Sequence, residues 1–210
     1  TSGMTKNAFD SYLFLDGKPK ATTTMDTNDA AVKDANGKYN LESVLAVRDK
    51  RLAITLDPVL CFKGSAYSRA GVAAFTSTTG YGIAKYLNFA EAKAELGTLT
   101  QADLDNSINK LQERAGLPAM TTSPEADPAN NMGVSNLLWE IRRCRRCELM
   151  CDNWTRYWDL IRWHKLDLLD SSKNPTIYLG ANMKNVENPE VDVNSDGYMI
   201  GSNTINQPRT

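Results

Sequence analysis

The chain has 210 residues, of which 41% are hydrophobic, so it holds enough apolar material for one substantial core or two small ones. Its 24 lysine and arginine residues nearly balance 25 aspartate and glutamate residues, which gives a formal net charge of −1. This balance argues against the basic surface typical of proteins that bind nucleic acid. The sequence also contains no run of about 18 apolar residues, so we predict no membrane-spanning helix.

Residues 1–80 are predicted to form irregular structure with short strands. The apolar residues 12–15 precede an Asp-Gly pair, which favours a strand that runs into a turn. Residues 41–51 carry apolar side chains at helical spacing. We expect residues 52–56 to form a strand, because their side chains alternate and an Asp-Pro pair follows them.

Residues 83–115 show the clearest helical pattern, a pair of amphipathic helices. One face of the first helix is marked by Ile83, Leu87, Ala90 and Ala94. Gly97 is expected to end this helix in a left-handed conformation, and Thr100 with Asp103 is close to a capping box that begins the second helix. Such a hairpin is the unit of tetratricopeptide-like stacking, although one clear pair does not establish a repeat array.

Residues 137–165 are predicted to form two helices with a break near Asp152 and Asn153. One face of the first helix holds Leu137, Ile141, Cys144 and Cys151. Glu148 lies on the same face, where a carboxylate is costly unless it is paired. We therefore expect Glu148 to be a partly buried anion held by guanidinium groups, which suit bidentate pairing. The candidate cations are Arg145, Arg146, Arg156 and Arg162.

The second of these helices is rich in aromatic residues and is too apolar to lie free in water. Tryptophan in a helix is more often part of the core than part of a ligand site. We therefore interpret all four tryptophans of the chain as core residues: Trp139, Trp154, Trp158 and Trp163.

Several interlocking residues of this stretch form a signature: Ile141, Arg142, Arg143, Arg146, Glu148, Leu149, and Arg-Tyr-Trp-Asp-Leu-Ile-Arg-Trp at 156–163. This signature resembles the one near the C-terminus of the SusD/RagB family. Members of that family are surface lipoproteins of the Gram-negative outer membrane. They bind glycans or other nutrients and deliver them to a SusC-type TonB-dependent transporter. The resemblance thus implies a binding protein that is not an enzyme.

The resemblance also implies a mainly α fold, in which tetratricopeptide-like hairpins stack into an α-α superhelix beside a loop-rich part with a few short strands. Residues 1–210 would be the C-terminal portion of a SusD/RagB-like domain, without the N-terminal repeat region and the extreme C-terminus. An export signal and a lipid-bearing cysteine are expected ahead of this region, so a lipid anchor would be the membrane attachment. The matching positions hold the fold together in the family: Glu148, Arg146, Arg156, Trp158, Asp159 and Arg162.

Two patterns raise the question of a metal. Three cysteines on one side of a helix could bind zinc with His164 as a fourth ligand, but we favour buried structural thiols: Cys144, Cys147 and Cys151. Cys61 is an alternative disulfide partner for one of them.

The second pattern, Asp192, Asn194 and Asp196 before a glycine, matches the opening of a calcium loop. Asn203 replaces the glutamate expected at the twelfth position, so a plain turn is the alternative to a calcium site.

The chain has no nucleophile elbow, Walker loop or dinucleotide fingerprint, and its single histidine argues against a hydrolytic triad. Aromatic side chains in loops are better candidates for ligand binding than for catalysis, because their faces stack on sugar rings. The candidate ligand-binding residues are Tyr67, Tyr81, Tyr178 and Tyr198. Two hypotheses follow: a surface protein that binds a glycan or other nutrient, or a helical-repeat scaffold that binds protein partners without a small ligand.

Overall fold

The computed structural model describes residues 4–37, 39–56, 80–150, 154–189 and 191–201, and for residues 80–83 it describes the backbone alone. Within these ranges the chain is mainly α-helical, as predicted. The helices are α1 Lys6–Phe9, α2 Glu42–Leu45, α3 Lys50–Thr55, α4 Gly80–Glu95, α5 Gln101–Asp105, α6 Ile108–Ala115, α7 Asn136–Glu148 and α8 Thr155–Arg162. The strands are β1 Val32–Lys33, β2 Tyr39–Asn40, β3 Leu179–Asn182 and β4 Tyr198–Ile200. None of the described helices combines the length and apolarity needed to cross a lipid bilayer.

The strands form two small antiparallel sheets, β1 with β2 and β3 with β4. In the second sheet Asn182 lies opposite Tyr198, and the register is irregular along β3. An isolated parallel bridge joins Ala30 to Asn182. Two 3-10 turns, Leu166–Leu169 and Pro175–Ile177, lead from α8 to this sheet. The bridge places the N-terminal loop beside the C-terminal hairpin, and the cleft described below lies at this junction.

The main core lies where α4 packs against α6 and α7. Its fully or nearly fully buried side chains are Leu87, Ala90, Leu104, Ile108, Leu111, Ile141 and Cys144. These residues recur at helical spacing, which is why the sequence pattern identified this face. Burying one such leucine or isoleucine side chain contributes about 1.5–3 kcal/mol. The predicted helical hairpin is therefore confirmed.

The ends of the hairpin helices follow local sequence signals. Gly97 has a φ of +68°, the left-handed conformation expected after α4. Thr100 and Asp103 form a reciprocal capping box at the start of α5. The predicted second helix is nevertheless divided into α5 and α6 at Ser107, whose hydroxyl donates to the carbonyl of Asp103 at 2.6 Å. Side chains that bond to backbone carbonyls compete with the regular helix and explain this division.

The N-terminal part departs from the sequence prediction in two places. Residues 52–56, predicted as a strand, belong largely to α3, because the Asp49 side chain caps the helix by accepting the N–H of Arg51 at 2.9 Å. Leu52 is fully buried against Tyr12 and Leu45, and this packing overrides the local alternation. Residues 12–15 form no regular strand; Phe14 makes only an isolated bridge to Arg48.

The prediction that all four tryptophans lie in the core is wrong for two of them. Trp163 is buried and Trp139 is half-buried, but Trp154 and Trp158 are 76% and 62% exposed. Helix α8 turns Asp159 and Leu160 inward, and a helix with described neighbours on one side cannot bury both faces. The outer face of α8 therefore remains aromatic and exposed in the described part of the chain.

Candidate functional site

A cleft of about 930 Å³ opens between the N-terminal loop and the β3–β4 hairpin. Its walls are residues 27–30, 182–184 and 193–198, together with Lys6 and Lys20. Ligand pockets in proteins are commonly about 300–1,000 Å³, so the cleft has room for a small molecule or a short sugar chain. Its lining is mostly polar.

The hairpin turn that forms one wall is fixed by Asn194. The side-chain oxygen of Asn194 accepts the backbone N–H groups of Asp196 at 3.1 Å and Tyr198 at 2.9 Å. Gly197 adopts a φ of +87°, and a Cβ there would lie 3.1 Å from the Cβ of Lys184. Only glycine fits this turn without strain, because the turn presses directly on the segment after β3.

Asp29 is the centre of a hydrogen-bonded cluster in the cleft, the hub, which also contains Lys20, Asn182 and Tyr198. Its carboxylate accepts hydrogen bonds from Lys20 Nζ at 2.6 Å, from Asn182 Nδ2 at 2.9 Å and from the hydroxyl of Tyr198. Lys20 Nζ also lies 3.3 Å from the Tyr198 hydroxyl. These bonds join a loop near the start of the chain to both strands of the C-terminal sheet. The hub therefore holds the two walls at a fixed separation.

Asp29 and Tyr198 keep their protonation states across neutral pH. Burial alone would raise the pKa of Asp29, but hydrogen bonds from Lys20, Tyr198 and Asn182 outweigh it and hold this pKa below its ordinary value. Burial, followed by the adjoining carboxylate, raises the pKa of Tyr198 to about 12. Asp29 is thus an anion and Tyr198 a hydroxyl donor. Lys6 Nζ lies 5.0 Å from the centroid of the Tyr198 ring and covers one of its faces.

Two charged side chains of the cleft have no partner within the described residues. The Lys184 ammonium and the Asp196 carboxylate are exposed and make no hydrogen bond or ion pair there. Asn28 uses its side-chain oxygen to accept the N–H of Ala30 at 3.1 Å, which leaves its amide donors free. An ammonium, a carboxylate and an amide around an open space can bind the hydroxyl groups of a polar ligand.

The four candidate tyrosines have different positions. Tyr198 is buried in the wall of the cleft. Tyr178 is 44% exposed outside the cleft, and its carbonyl accepts the N–H of Gly201 at 2.9 Å. Tyr67 lies outside the described residues, as does the side chain of Tyr81 in α4. A ligand-binding role for any of the four stays a prediction.

The predicted calcium residues lie at the same hairpin. Asn194 and Asp196 line the cleft, while the carbonyl of Asp192 accepts the N–H of Ile200 at 2.8 Å. The turn uses the Asn194 oxygen internally, as the plain-turn alternative requires. The described ranges contain no group of three or more His, Cys, Asp or Glu residues placed to hold a metal. Asn203 lies outside those ranges, and calcium binding stays a prediction.

Glu148 is buried and held by two guanidinium groups, but they come from other elements than expected. Arg51 Nη1 of α3 lies 2.8 Å from Glu148 Oε1, and Arg114 of α6 donates to the other oxygen. None of the four expected cations, Arg145, Arg146, Arg156 and Arg162, forms an ion pair with it in the described residues. Glu148 faces α3 and α6 because it shares the inner face of α7 with Cys144, which Arg51 also reaches at 3.5 Å.

Asp159 and Arg162 of the signature connect α8 to its neighbours. The Asp159 carboxylate accepts from Arg145 Nε at 2.7 Å and from Arg162 Nε at 2.9 Å. Arg162 Nη2 then reaches Glu91 of α4 at 2.5 Å. Glu91 also accepts the indole N–H of Trp163 at 2.6 Å. No sequence pattern marks Glu91, since its partners lie far along the chain.

The two described cysteines are free thiols in the core. Burial raises the pKa of Cys144 to about 11 and that of Cys147 to about 12, so both stay protonated at neutral pH. Cys61 and Cys151 lie outside the described residues.

No sequence pattern marks the hub of the cleft either. Asp29 and Asn182 are 153 positions apart, and neither belongs to a local motif. Single polar residues in loops carry no periodic signal, so only the fold brings them together.

Comparison with known proteins places the chain in a family. Residues 85–207 match the model of the SusD family. The fold is similar to the crystal structure of a SusD-like carbohydrate binding protein from Bacteroides fragilis, with a TM-score of 0.55 and 21% sequence identity. The similarity covers 94% of this chain and 42% of that one, so the chain spans less than half the length of that structure. The comparison with curated proteins yields no match.

Proposed function

Because the chain belongs to the SusD family, we propose that it binds a glycan or another nutrient in the cleft around Asp29 and does not cleave it. The observation that carries this proposal is the cleft itself. A rigid hub of Lys20, Asp29, Asn182 and Tyr198 stands beside the unpartnered side chains of Lys184 and other polar residues. Such a set of donors and acceptors suits a ligand rich in hydroxyl groups.

Carbohydrate is the ligand class we favour. The Bacteroides fragilis structure that shares the fold is a SusD-like carbohydrate binding protein. The cleft of this chain offers amide, ammonium and carboxylate groups that bind sugar hydroxyls in many orientations. Its volume of about 930 Å³ suits a short oligosaccharide.

The setting of this binding belongs to the same proposal. Residues 1–210 form the C-terminal portion of a longer surface lipoprotein, which is attached to the outer membrane by a lipid anchor and passes its ligand to a SusC-type TonB-dependent transporter. Labelling of cells with radioactive palmitate and co-purification with such a transporter test the two points. An unlabelled protein, or one that purifies without a transporter, contradicts this setting while leaving the cleft itself to the binding assay.

Isothermal titration calorimetry of the full-length protein with a panel of soluble oligosaccharides tests the binding. We expect heat with at least one glycan, unchanged glycan length after incubation, and an affinity at least about tenfold weaker in Lys184→Ala, because a bond to a charged group is lost. Lys173→Ala removes an exposed lysine outside the cleft and is the matched control. Equal affinities for both variants would place the ligand elsewhere.

The alternative is a helical-repeat scaffold that binds protein partners without a small ligand. The exposed aromatic face of α8 favours it, because Trp and Tyr are enriched in protein interfaces. The same calorimetry separates the two functions. No heat with any glycan, together with a stable protein complex that Trp158→Ala disrupts, would favour the scaffold.

A further inference from the structure

A small polar cavity lies where α3, α6 and α7 meet, away from the cleft. Gln112 of α6 and both Glu140 and Arg143 of α7 line it, and all three side chains are buried. Gln112 Oε1 and Arg143 Nε have no hydrogen-bond partner within the described residues. The cavity has no room for a water molecule, so water cannot supply the missing partners. Since buried polar atoms are seldom left unpaired, the Gln112 oxygen calls for a donor from the protein itself.

Two buried carboxylates share one guanidinium group beside this cavity. Arg143 Nη2 donates to Asp127 Oδ2 and also lies 3.1 Å from Glu140 Oε1. The two acidic side chains are only 2% and 11% exposed, and no other described cation pairs with either of them. If both were ionised, a net negative charge would be buried there. When two carboxylates share a site in this way, the pKa of one of them is raised, so that one binds a proton.

Hydrogen bonds decide which carboxylate keeps the negative charge. Besides the bond from Arg143, Asp127 accepts the indole N–H of Trp139 at 2.9 Å and the backbone N–H of Ala129 at 2.8 Å. Glu140 accepts no hydrogen bond from the described residues, and its only ion pair is the one to the guanidinium nitrogen that already serves Asp127. Burial raises the pKa of Glu140 to about 8. The proton therefore belongs on Glu140.

The other charges of the cavity are balanced without Glu140. The remaining titratable groups that line it are Asp49, Arg51, Cys144 and Cys147. Asp49 and Arg51, from the start of α3, form an ion pair at 2.5 Å, and burial keeps the two thiols of α7 protonated. Helix α6 contributes only the neutral Gln112, and the segment after α1 contributes no titratable side chain. A protonated Glu140 adds an O–H group that can donate to Gln112 Oε1.

We propose that Glu140 carries a proton in the folded protein at neutral pH and donates it to Gln112, so that the cavity is a buried proton-binding site which makes the junction of α3, α6 and α7 sensitive to pH. In alkali the proton passes to water, and a carboxylate without hydrogen bonds is left in the cavity. The inference goes beyond ligand binding and does not depend on the ligand of the cleft.

The sign of the pH dependence follows from linkage. The folded protein holds the proton up to a pH of about 8, while the unfolded chain releases it near its ordinary pKa of 4.5. Between these two values the folded state binds more protons than the unfolded state, so the contribution of Glu140 to stability falls as the pH rises. Above about 8 the loss is complete.

Thermal unfolding of the full-length protein across this pH range tests the proposal. Glu140→Gln keeps the shape of the side chain but cannot ionise. We expect the melting temperature of the wild type to fall relative to that of this variant as the pH rises from about 4.5 to about 8. An anionic Glu140 paired with Arg143 would give the opposite trend, and either that trend or a constant difference would overturn the proposal. Glu113→Gln, at an exposed position of α6, is the matched control and should follow the wild type.

Carbon-13 NMR of labelled glutamate carboxyl groups gives a second readout on the wild type itself. The resonance that is absent from Glu140→Gln belongs to Glu140. We expect it to lie at the position of a protonated carboxyl at neutral pH and to move as the pH passes about 8. A resonance already at the ionised position at neutral pH would overturn the proposal.

Asp127→Asn tests the shared guanidinium group, because it frees Arg143 for Glu140. We expect the Glu140 resonance of this variant to titrate at a lower pH than in the wild type. An unchanged titration would contradict the sharing of Arg143 on which the proposal rests. Calorimetry of the cleft is a separate readout, so a failure here is distinguishable from a failure of glycan binding.

Discussion

The helical half of the chain and the cleft arrange their charged side chains in opposite ways. Between α3 and α8, three buried carboxylates are each held by two guanidinium groups: Glu91 by Arg142 and Arg162, Glu148 by Arg51 and Arg114, and Asp159 by Arg145 and Arg162. In the cleft no guanidinium group holds Asp29, which accepts from Lys20, Asn182 and Tyr198 instead. The exposed Lys184 and Asp196 have no partner among the described residues.

This difference separates the part that maintains the fold from the part that can bind. Buried charges that are fully paired have no free hydrogen-bond donors or acceptors left for a ligand. Polar groups that are open to water can exchange their water for the hydroxyl groups of a sugar. The family signature lies in the first region, which is why it identifies the fold and says little about the ligand.

The largest expected effect is the loss of a buried carboxylate. Glu148→Ala should lower the free energy of unfolding by about 3–5 kcal/mol, because it leaves Arg51 buried without one of its counter-charges. Urea denaturation followed by circular dichroism measures this change. Glu125→Ala, which removes the exposed partner of Lys18, is the control and should cost at most about 1 kcal/mol. Equal losses in the free energy of unfolding for the two variants would contradict the distinction between buried, paired charges and exposed ones.

The second effect concerns the hub of the cleft. Asp29→Asn should lower the free energy of unfolding by about 1–2 kcal/mol, since it weakens the bonds from Lys20 and Tyr198. The folded protein lowers the pKa of Asp29 below its usual value of 3.8, so its stabilisation is present above that pH. Denaturation curves of the wild type and the variant should therefore converge as the pH falls below 3.8. A difference that persists in acid would show that the carboxylate charge is not the cause.

The smallest effect is expected at the exposed capping box of α5. A hydrogen bond from Lys93, followed by those from Thr100, lowers the pKa of Asp103 to about 2. Asp103→Asn should slightly lower the melting temperature at neutral pH, and the difference should fade between pH 3.8 and about 2. Asp167→Asn, at an exposed position in a 3-10 turn, is the control. An equal loss in the control would mean that the capping box is not responsible.

Local signals in the sequence predicted the helical half well. Gly97 and the Thr100–Asp103 box act through neighbouring backbone groups, so they are readable without the fold. Alternation is the only local signal in residues 52–56 and predicts a strand, while the packing of Leu52 on Tyr12, which favours the helix, is a tertiary effect. The exposure of Trp158 depends on which elements cover α8, and no local pattern carries that information.

The cleft was much less predictable. Tyr198 was a candidate because of its residue type, yet its partner Asp29 lies 169 positions away. Nearness in the chain also predicts the wrong arginines for Glu148, because Arg51 lies 97 positions away. Contacts between distant loops and helices are set by the whole fold.

The most direct test of the central claim is a titration of the ¹⁵N-labelled full-length protein with the glycan that gives heat in calorimetry, followed by NMR. We expect the chemical shifts that change to belong to residues 27–30, 182–184 and 193–198, while the amides around Glu148 and Asp159 stay in place. Chemical shifts that change around those buried ion pairs, with none changing at the cleft, would contradict the claim that the cleft binds the glycan.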